Sequence, residues 1–281
     1  GAQRALGVAL FVGAAAAVGM RNAARGPRDV RVEVELARWP RALDGYRIAQ
    51  ISDIHIGPML GRRFARELTD RVNALAPDLV AVTGDLVDGR ADHLAGEVEP
   101  FGALRGRDGV FFVTGNHDFY SGADVWSERM RALGMRVMRN ESVVVERGGA
   151  RFAVAGVDDH RAAMLPGEGG EDLEAALAGL PDDLPVVLLA HDPSTFKRAH
   201  RMGIDLQLSG HTHGGQIWPF RYLVRLAVPF VEGRYRRGAA ELYVSRGTGF
   251  WGPPMRLGAP AEITEIVLRA PGASTATGSN R

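Results

Sequence analysis

The sequence predicts an α/β protein built from two packed β-sheets with helices on their outer faces. Three observations lead there. Through the first half, short apolar runs alternate with helix-periodic segments, as buried, largely parallel strands joined by crossover helices do. The second half is rich in strands and interrupted by only two helical stretches, and two sheets are the natural arrangement for so many strands and so few helices. The composition over 281 residues, 46% hydrophobic and 24% charged, lies near globular averages and suits one large domain, or two small ones, with a filled core.

Taken in order, the chain opens with ALGVALFVGAAAAVGM between Arg4 and Arg21, a stretch without charge. It is shorter than the roughly 20 apolar residues of a membrane span and longer than a signal-peptide core. The chain begins with Gly1 rather than Met, and residues 1–21 are read as the remnant of a membrane anchor, or a signal-like segment, with sequence upstream. The flanking Arg21, Arg25 and Arg28 favour that over a buried Ala/Gly-rich helix. Residues 22–45, with Pro27, Pro40 and the alternating VRVEVEL, read as a linker leading into an edge strand.

The main domain is expected over 46–270. Its first half offers strands YRIAQIS, LVAVT and GVFFVT, with helices over RRFARELTDRVNALA, near 94–105 and near 123–133. Its second half offers SVVVE, RFAVAGV, PVVLLA, IDLQLS, ELYVS and EITEIVL, with helices near 171–180 and 194–201. The tail, 271–281 (PGASTATGSNR), is small and polar and is expected to be disordered.

Several chemistries are excluded. There is no cysteine, so disulfides, thiolate metal sites and cysteine nucleophiles are absent. With 34 basic against 33 acidic residues, the chain carries no electrostatic footprint for nucleic acid, and no specific nucleic-acid binding is expected. Lys197 follows Phe196 and lies in no glycine-rich loop, which rules out a P-loop. Gly247 to Gly252 fits a dinucleotide fingerprint by spacing, but Pro253-Pro254 follows where a helix would have to begin. No Gly-x-Ser-x-Gly elbow occurs.

Five segments at the ends of apolar runs carry metal-competent side chains: Asp53-Ile54-His55, Gly84-Asp85, Gly115-Asn116-His117-Asp118, His191, and Gly210-His211-Thr212-His213-Gly214-Gly215. Carboxyl ends of strands share one edge of an open α/β sheet, so these distant residues can converge on one pocket. Singly, most have bland explanations: Gly-Asp is a common turn dipeptide, and a lone histidine after an apolar strand is by default a satisfied core residue. Together they gather five of the chain's eight histidines with Asp and Asn oxygens. Such a mixed N/O set suits transition metals such as Mn, Fe or Zn. It is too large for one tetrahedral ion and about right for two ions sharing a carboxylate.

The ordered set D-x-H, G-D, G-N-H-D, H and G-H-x-H resembles that of the calcineurin-like metallophosphoesterase family, from about Tyr46 to about Leu268. The flanking GHTHGGQIWP and RGTGFWGPPMRLGAPAEIT resemble its bacterial membrane-associated or exported branch. The resemblance implies a four-layer α/β/β/α sandwich of two mixed sheets flanked by helices. It also implies a dinuclear centre: Asp53, His55 and His213 on one divalent ion, Asn116, His191 and His211 on the other, and Asp85 bridging. His117 would contact the scissile phosphate or protonate the leaving group, with Asp118 orienting it. The reaction implied is phosphomonoester or phosphodiester hydrolysis by a metal-bridging hydroxide attacking in line. A nuclease of the same fold and a catalytically silent scaffold are the competing readings; the latter would lack a ligand, and none is missing. Trp218, Arg246, Phe250, Trp251 and Arg256 are candidates to line the pocket, the two tryptophans being equally credible as packing anchors. A small-molecule or lipid-linked phosphoester is the expected substrate, and a bacterial cell membrane the expected location.

Overall fold

The computed structural model describes residues 1–164 and 169–272. In chain order its elements are α1 (Ala2–Ala24), β1 (Arg28–Glu35), β2 (Tyr46–Ile51), α2 (Arg62–Ala74), β3 (Leu79–Thr83), α3 (Ala91–Leu94), β4 (Val110–Val113), α4 (Asn116–Tyr120), α5 (Ala123–Ala132) and β5 (Arg136–Val137). There follow β6 (Glu141–Arg147), β7 (Ala150–Gly156), α6 (Leu173–Leu177), β8 (Val186–Leu189), α7 (Phe196–Ala199), β9 (Leu206–Ser209), α8 (Arg221–Ala227), β10 (Gly233–Arg237), β11 (Ala240–Val244) and β12 (Glu262–Arg269).

Two six-stranded mixed sheets form, in the orders β1-β12-β2-β3-β4-β5 and β10-β11-β9-β8-β7-β6. In the first, β2, β3, β4 and β5 run parallel; in the second, β7, β8, β9 and β11 do. The period-two alternation of a strand explains the layering. Leu79 and Ala81 of β3, Phe111 and Val113 of β4, and Val187 and Leu189 of β8 all point into one core between the sheets. Their neighbours Val80, Val82, Val110 and Phe112 face outward under α2 and α5, while Val186 and Leu188 face α6 and α7. Both faces of each central strand are therefore covered, which is why these runs are continuously apolar. Helix α2 places Ala65, Leu68, Thr69 and Val72 on its buried stripe at helical spacing.

The edge strand expected within 22–45 is β1, which pairs in parallel with β12 at the sheet edge, and the segment after it places Leu36, Trp39 and Leu43 in the core between the sheets. The structure corrects two expectations. The helix expected near 94–105 is only α3 followed by a 3-10 turn over Glu99–Ala103, broken by Gly96, Pro100 and Gly102. The helices near 171–180 and 194–201 shrink to the short α6 and to α7, the latter preceded by a 3-10 turn, Pro193–Thr195. Strands β5 and β10 and helix α8 were not anticipated, since GRYRR and RYLVRLA show no clear apolar period. The tail expected to be disordered lies, from residue 273 onward, outside the described residues.

Candidate metal centre

The carboxyl ends of β2, β3 and β4 in one sheet and of β8 and β9 in the other open onto the same edge, and all nine predicted site residues lie in the segments that follow these ends, three of them in the first turn of α4. Three groups of donors form among the described residues, one of them His55, Asp88 and His117, and the other two made of predicted ligands. Asp53, His55 and His213 have donor atoms within 4.8 Å of one another, and so do Asp85, His191 and His211. Asp85 lies between these last two groups: its Oδ2 is 3.1 Å from His191 Nε2 and 3.9 Å from His55 Nε2. Asn116, the first residue of α4, is buried with its Oδ1 lacking any partner.

The backbone is bent to achieve this. Asp53, His55, Asp85, His211 and His213 all adopt positive φ, between 51° and 72°. A left-handed conformation at a residue with a Cβ costs about 1–3 kcal/mol, and such strain gathers at functional sites. Five of the eight such non-glycine residues among those described are thus candidate ligands. Close packing explains the glycines beside them. At Gly84 (φ 87°) a Cβ would sit 2.6 Å from His191 Nδ1 and 2.8 Å from Gly115 N, and at Gly210 it would overlap Ser52 Oγ and the Asp53 carboxylate.

Three features fit divalent cations. Ring nitrogens face each other with little between them: His55 Nε2 and His213 Nε2 at 3.1 Å, His191 Nε2 and His211 Nδ1 at 3.3 Å. Several histidines are oriented from behind, as metal ligands usually are: His55 Nδ1 lies 2.8 Å from Asp88 Oδ1, and His191 Nδ1 lies 2.8 Å from the Thr83 carbonyl, which accepts its proton. The buried Asn116 oxygen is an acceptor in want of a cation or donor. Charge acts unevenly on the histidines: burial opposes protonation of His191, but the charges of Asp85 and Asp53 outweigh it and hold the ring well above its ordinary value. Burial, with the positive charge of His191 added, lowers the His211 pKa to about 4, and burial beside Arg256 keeps His213 well below the usual imidazole range.

A family model described as calcineurin-like phosphoesterase matches residues 46–215. The chain belongs to the calcineurin-like phosphoesterase family. It is 42% identical over 273 residues to a Danio rerio transmembrane protein with metallophosphoesterase domain, covering 93% of this chain and 62% of that one. It is 33% identical over 239 residues to an uncharacterized metallophosphoesterase of Bacillus subtilis, covering 82% of each. The chain thus spans about three-fifths of the animal relative's length. The solved structure of Haemophilus influenzae NAD nucleotidase superposes with a TM-score of 0.50 at 16% identity, over 73% of this chain and 45% of that one, a likeness of fold.

Within this calcineurin-like site one role moves. Asp118 was expected to orient His117, but its carboxylate faces the other way, accepting from the backbone N–H groups of Leu86 (2.9 Å), Val87 (3.2 Å) and Gly115 (2.8 Å). It is the N3 residue of α4 and turns back onto its own helix start, which commits it to holding the loops together. The residue on His117 is Asp88, whose Oδ1 lies 2.7 Å from His117 Nδ1 and also receives His55. Burial works to lower the His117 pKa, but the Asp88 hydrogen bond and the charges of Asp85 and Asp88 outweigh it and hold the ring above its ordinary value. Sequence reasoning passed over Asp88 because it follows Val87 three residues past the Gly-Asp turn, with nothing local to mark it.

Arg256 does not line the pocket either. It is 1% exposed beneath the site, donating to the carbonyls of Gly249, Arg246 and His213, with Nη2 3.2 Å from His213 Nδ1. Its backbone is held by α1: Arg256 N–H donates to the Gly19 carbonyl at 2.9 Å, and Asn22 Nδ2 donates to the Arg256 carbonyl at 3.0 Å. Phe250 is buried, Trp218 is half exposed and lines a hollow together with residues of α1, and Trp251 stands at the site with its ring 5.7 Å from that of His117.

Proposed function

We propose that this chain hydrolyses phosphoesters with two divalent metal ions, one held by Asp53, His55 and His213, the other by Asn116, His191 and His211, with Asp85 shared. The observation that carries this is the pair of donor groups meeting across Asp85 at the joint edge of the two sheets. When bound, the ions supply an activated water and positive charge to stabilise the phosphoryl group in transfer. The chain's own residues do the rest. Backbone amides fix the carboxylates, His211 N–H on Asp53 and His117 N–H on Asp85, so neither must reorganise during turnover. With its Nδ1 proton on Asp88, His117 keeps Nε2 for the substrate, placed to donate to the leaving oxygen. As purified, the protein should contain up to two transition-metal ions, and chelation should abolish hydrolysis of a p-nitrophenyl phosphoester, with Mn among the ions that restore it. Full activity in protein shown by elemental analysis to be metal-free overturns the proposal.

Helix α1 is long and apolar enough to cross a membrane, and it is exposed almost throughout. We infer that it seats the protein in a bilayer, a reading supported by the transmembrane relative. Its bonds to the Arg256 loop add a consequence for activity. Removing residues 1–26 leaves the Arg256 N–H and carbonyl without partners two links from His213, and outer-shell losses of that kind cost about tenfold. The truncated protein is expected to lose kcat by that order as well as its membrane attachment; an unchanged kcat would reduce α1 to a tether.

A further inference from the structure

An apolar cavity of about 630 Å³ opens directly beside the candidate metal centre, a volume typical of small-molecule sites. His211 and His213 form its polar end, and Arg161 is the one cation on its rim. Its walls are hydrocarbon: Ile217, Phe220, Leu223, Val224 and Val228, with Trp251 between wall and site. Trp251 is fixed there by Gln216, whose Nε2 donates to the Trp251 carbonyl and whose Oε1 accepts the Trp251 N–H. Nothing in phosphoryl transfer requires such walls, because an ester or water of hydration is served by polar ones.

The wall belongs to α8, which buries none of its own residues. Phe220, Tyr222, Leu223 and Leu226 are all more than half exposed, a concentration of apolar surface that a soluble protein seldom leaves to water. The apolar surface continues toward the membrane helix. Trp218, just before α8, shares a second apolar hollow with Phe11, Ala14, Ala15 and Val18 of α1. Adjacent residues thus line the two spaces, Ile217 the cavity beside the histidines and Trp218 the hollow against α1.

We propose that this cavity receives the hydrocarbon chain of an amphiphilic phosphoester, so that the substrate is a membrane-derived phosphoester bearing at least one long alkyl, acyl or isoprenoid chain. The phosphate lies at the histidines and the chain runs under α8 past Trp251. This rests on the phosphoesterase reading above for its reaction and on the cavity for its substrate class.

The test uses the full chain in lipid nanodiscs, loaded with Mn²⁺, with empty discs subtracting partition into lipid. Calorimetry follows binding of alkylphosphonates of two, six and ten carbons, and hydrolysis is followed in parallel on p-nitrophenyl alkyl phosphates of the same chain lengths. Each buried methylene is worth up to about fourfold in affinity, so binding should tighten by at least a hundredfold from two to ten carbons. Leu223→Asp, on the cavity wall, should flatten the series. Leu226→Asp adds the same charge to the same helix at a residue outside the cavity wall, and should leave the series steep. Affinity independent of chain length, or equal flattening by both substitutions, overturns the proposal. A steep phosphonate series with no ester hydrolysed keeps the cavity assignment and removes the phosphoesterase one; hydrolysis with a flat series does the reverse.

Discussion

Replacing Asp85 with Ala or Asn should strip both metal ions and cut kcat/KM by roughly 10³-fold or more. The geometry gives the reason. Asp85 Oδ2 faces both His191 and His55, and the side chain is buried. Without its charge, two cations would lose the carboxylate that both groups of histidines face. The Asn variant has a second fault: Oδ1 accepts the His117 backbone N–H at 2.8 Å, and an amide nitrogen in that place would set donor against donor. His55→Ala, by contrast, removes a ligand from one ion and should chiefly weaken that site. Metal content by elemental analysis and turnover of a p-nitrophenyl phosphoester read both effects; Asp85 variants that keep two ions and near-normal turnover would refute the shared-ligand assignment.

The second large effect concerns His117, expected to lower kcat by about 10²–10⁴-fold when replaced by Ala while metal content and fold stay intact. Its ring lies beside that of His55, at 4.9 Å between centroids, and it shares a donor group with His55 and Asp88 but not with either group that meets across Asp85. Anchored through Nδ1 to Asp88, it presents its other nitrogen to the pocket. A proton donor there matters most when the leaving group is a poor one. Alkyl esters should therefore lose far more than p-nitrophenyl esters. Equal losses on both would mean an electrostatic role, and a missing metal ion would mean that His117 is a ligand after all.

Much of the fold could be read from the sequence because central strands buried on both faces leave an unbroken apolar signature, as LVAVT and PVVLLA do. The candidate centre was legible for a related reason. Its residues follow those strands directly, so the end of each apolar run points to one. What escaped was held by contacts remote in sequence. Asp88 reaches His117 and His55 from a loop with no pattern of its own, and Asp118 has the neighbours of an orienting group but turns back to cap its helix. Helix α8 escaped for the opposite reason: with no buried face, its apolar residues keep no period that a core would impose.

Gly19 and Asn22 bond to the backbone of Arg256, whose side chain lies against His213, so hydrogen bonds tie α1 to the candidate metal centre. A 23-residue helix is about 34 Å long, close to the thickness of a bilayer's hydrocarbon. If α1 lies in a membrane as proposed, the candidate site would be held near the surface and the protein would sample a plane rather than a volume. Substrates of the proposed kind would then arrive by lateral diffusion, and their turnover would follow their density in the bilayer instead of their concentration in the surrounding water.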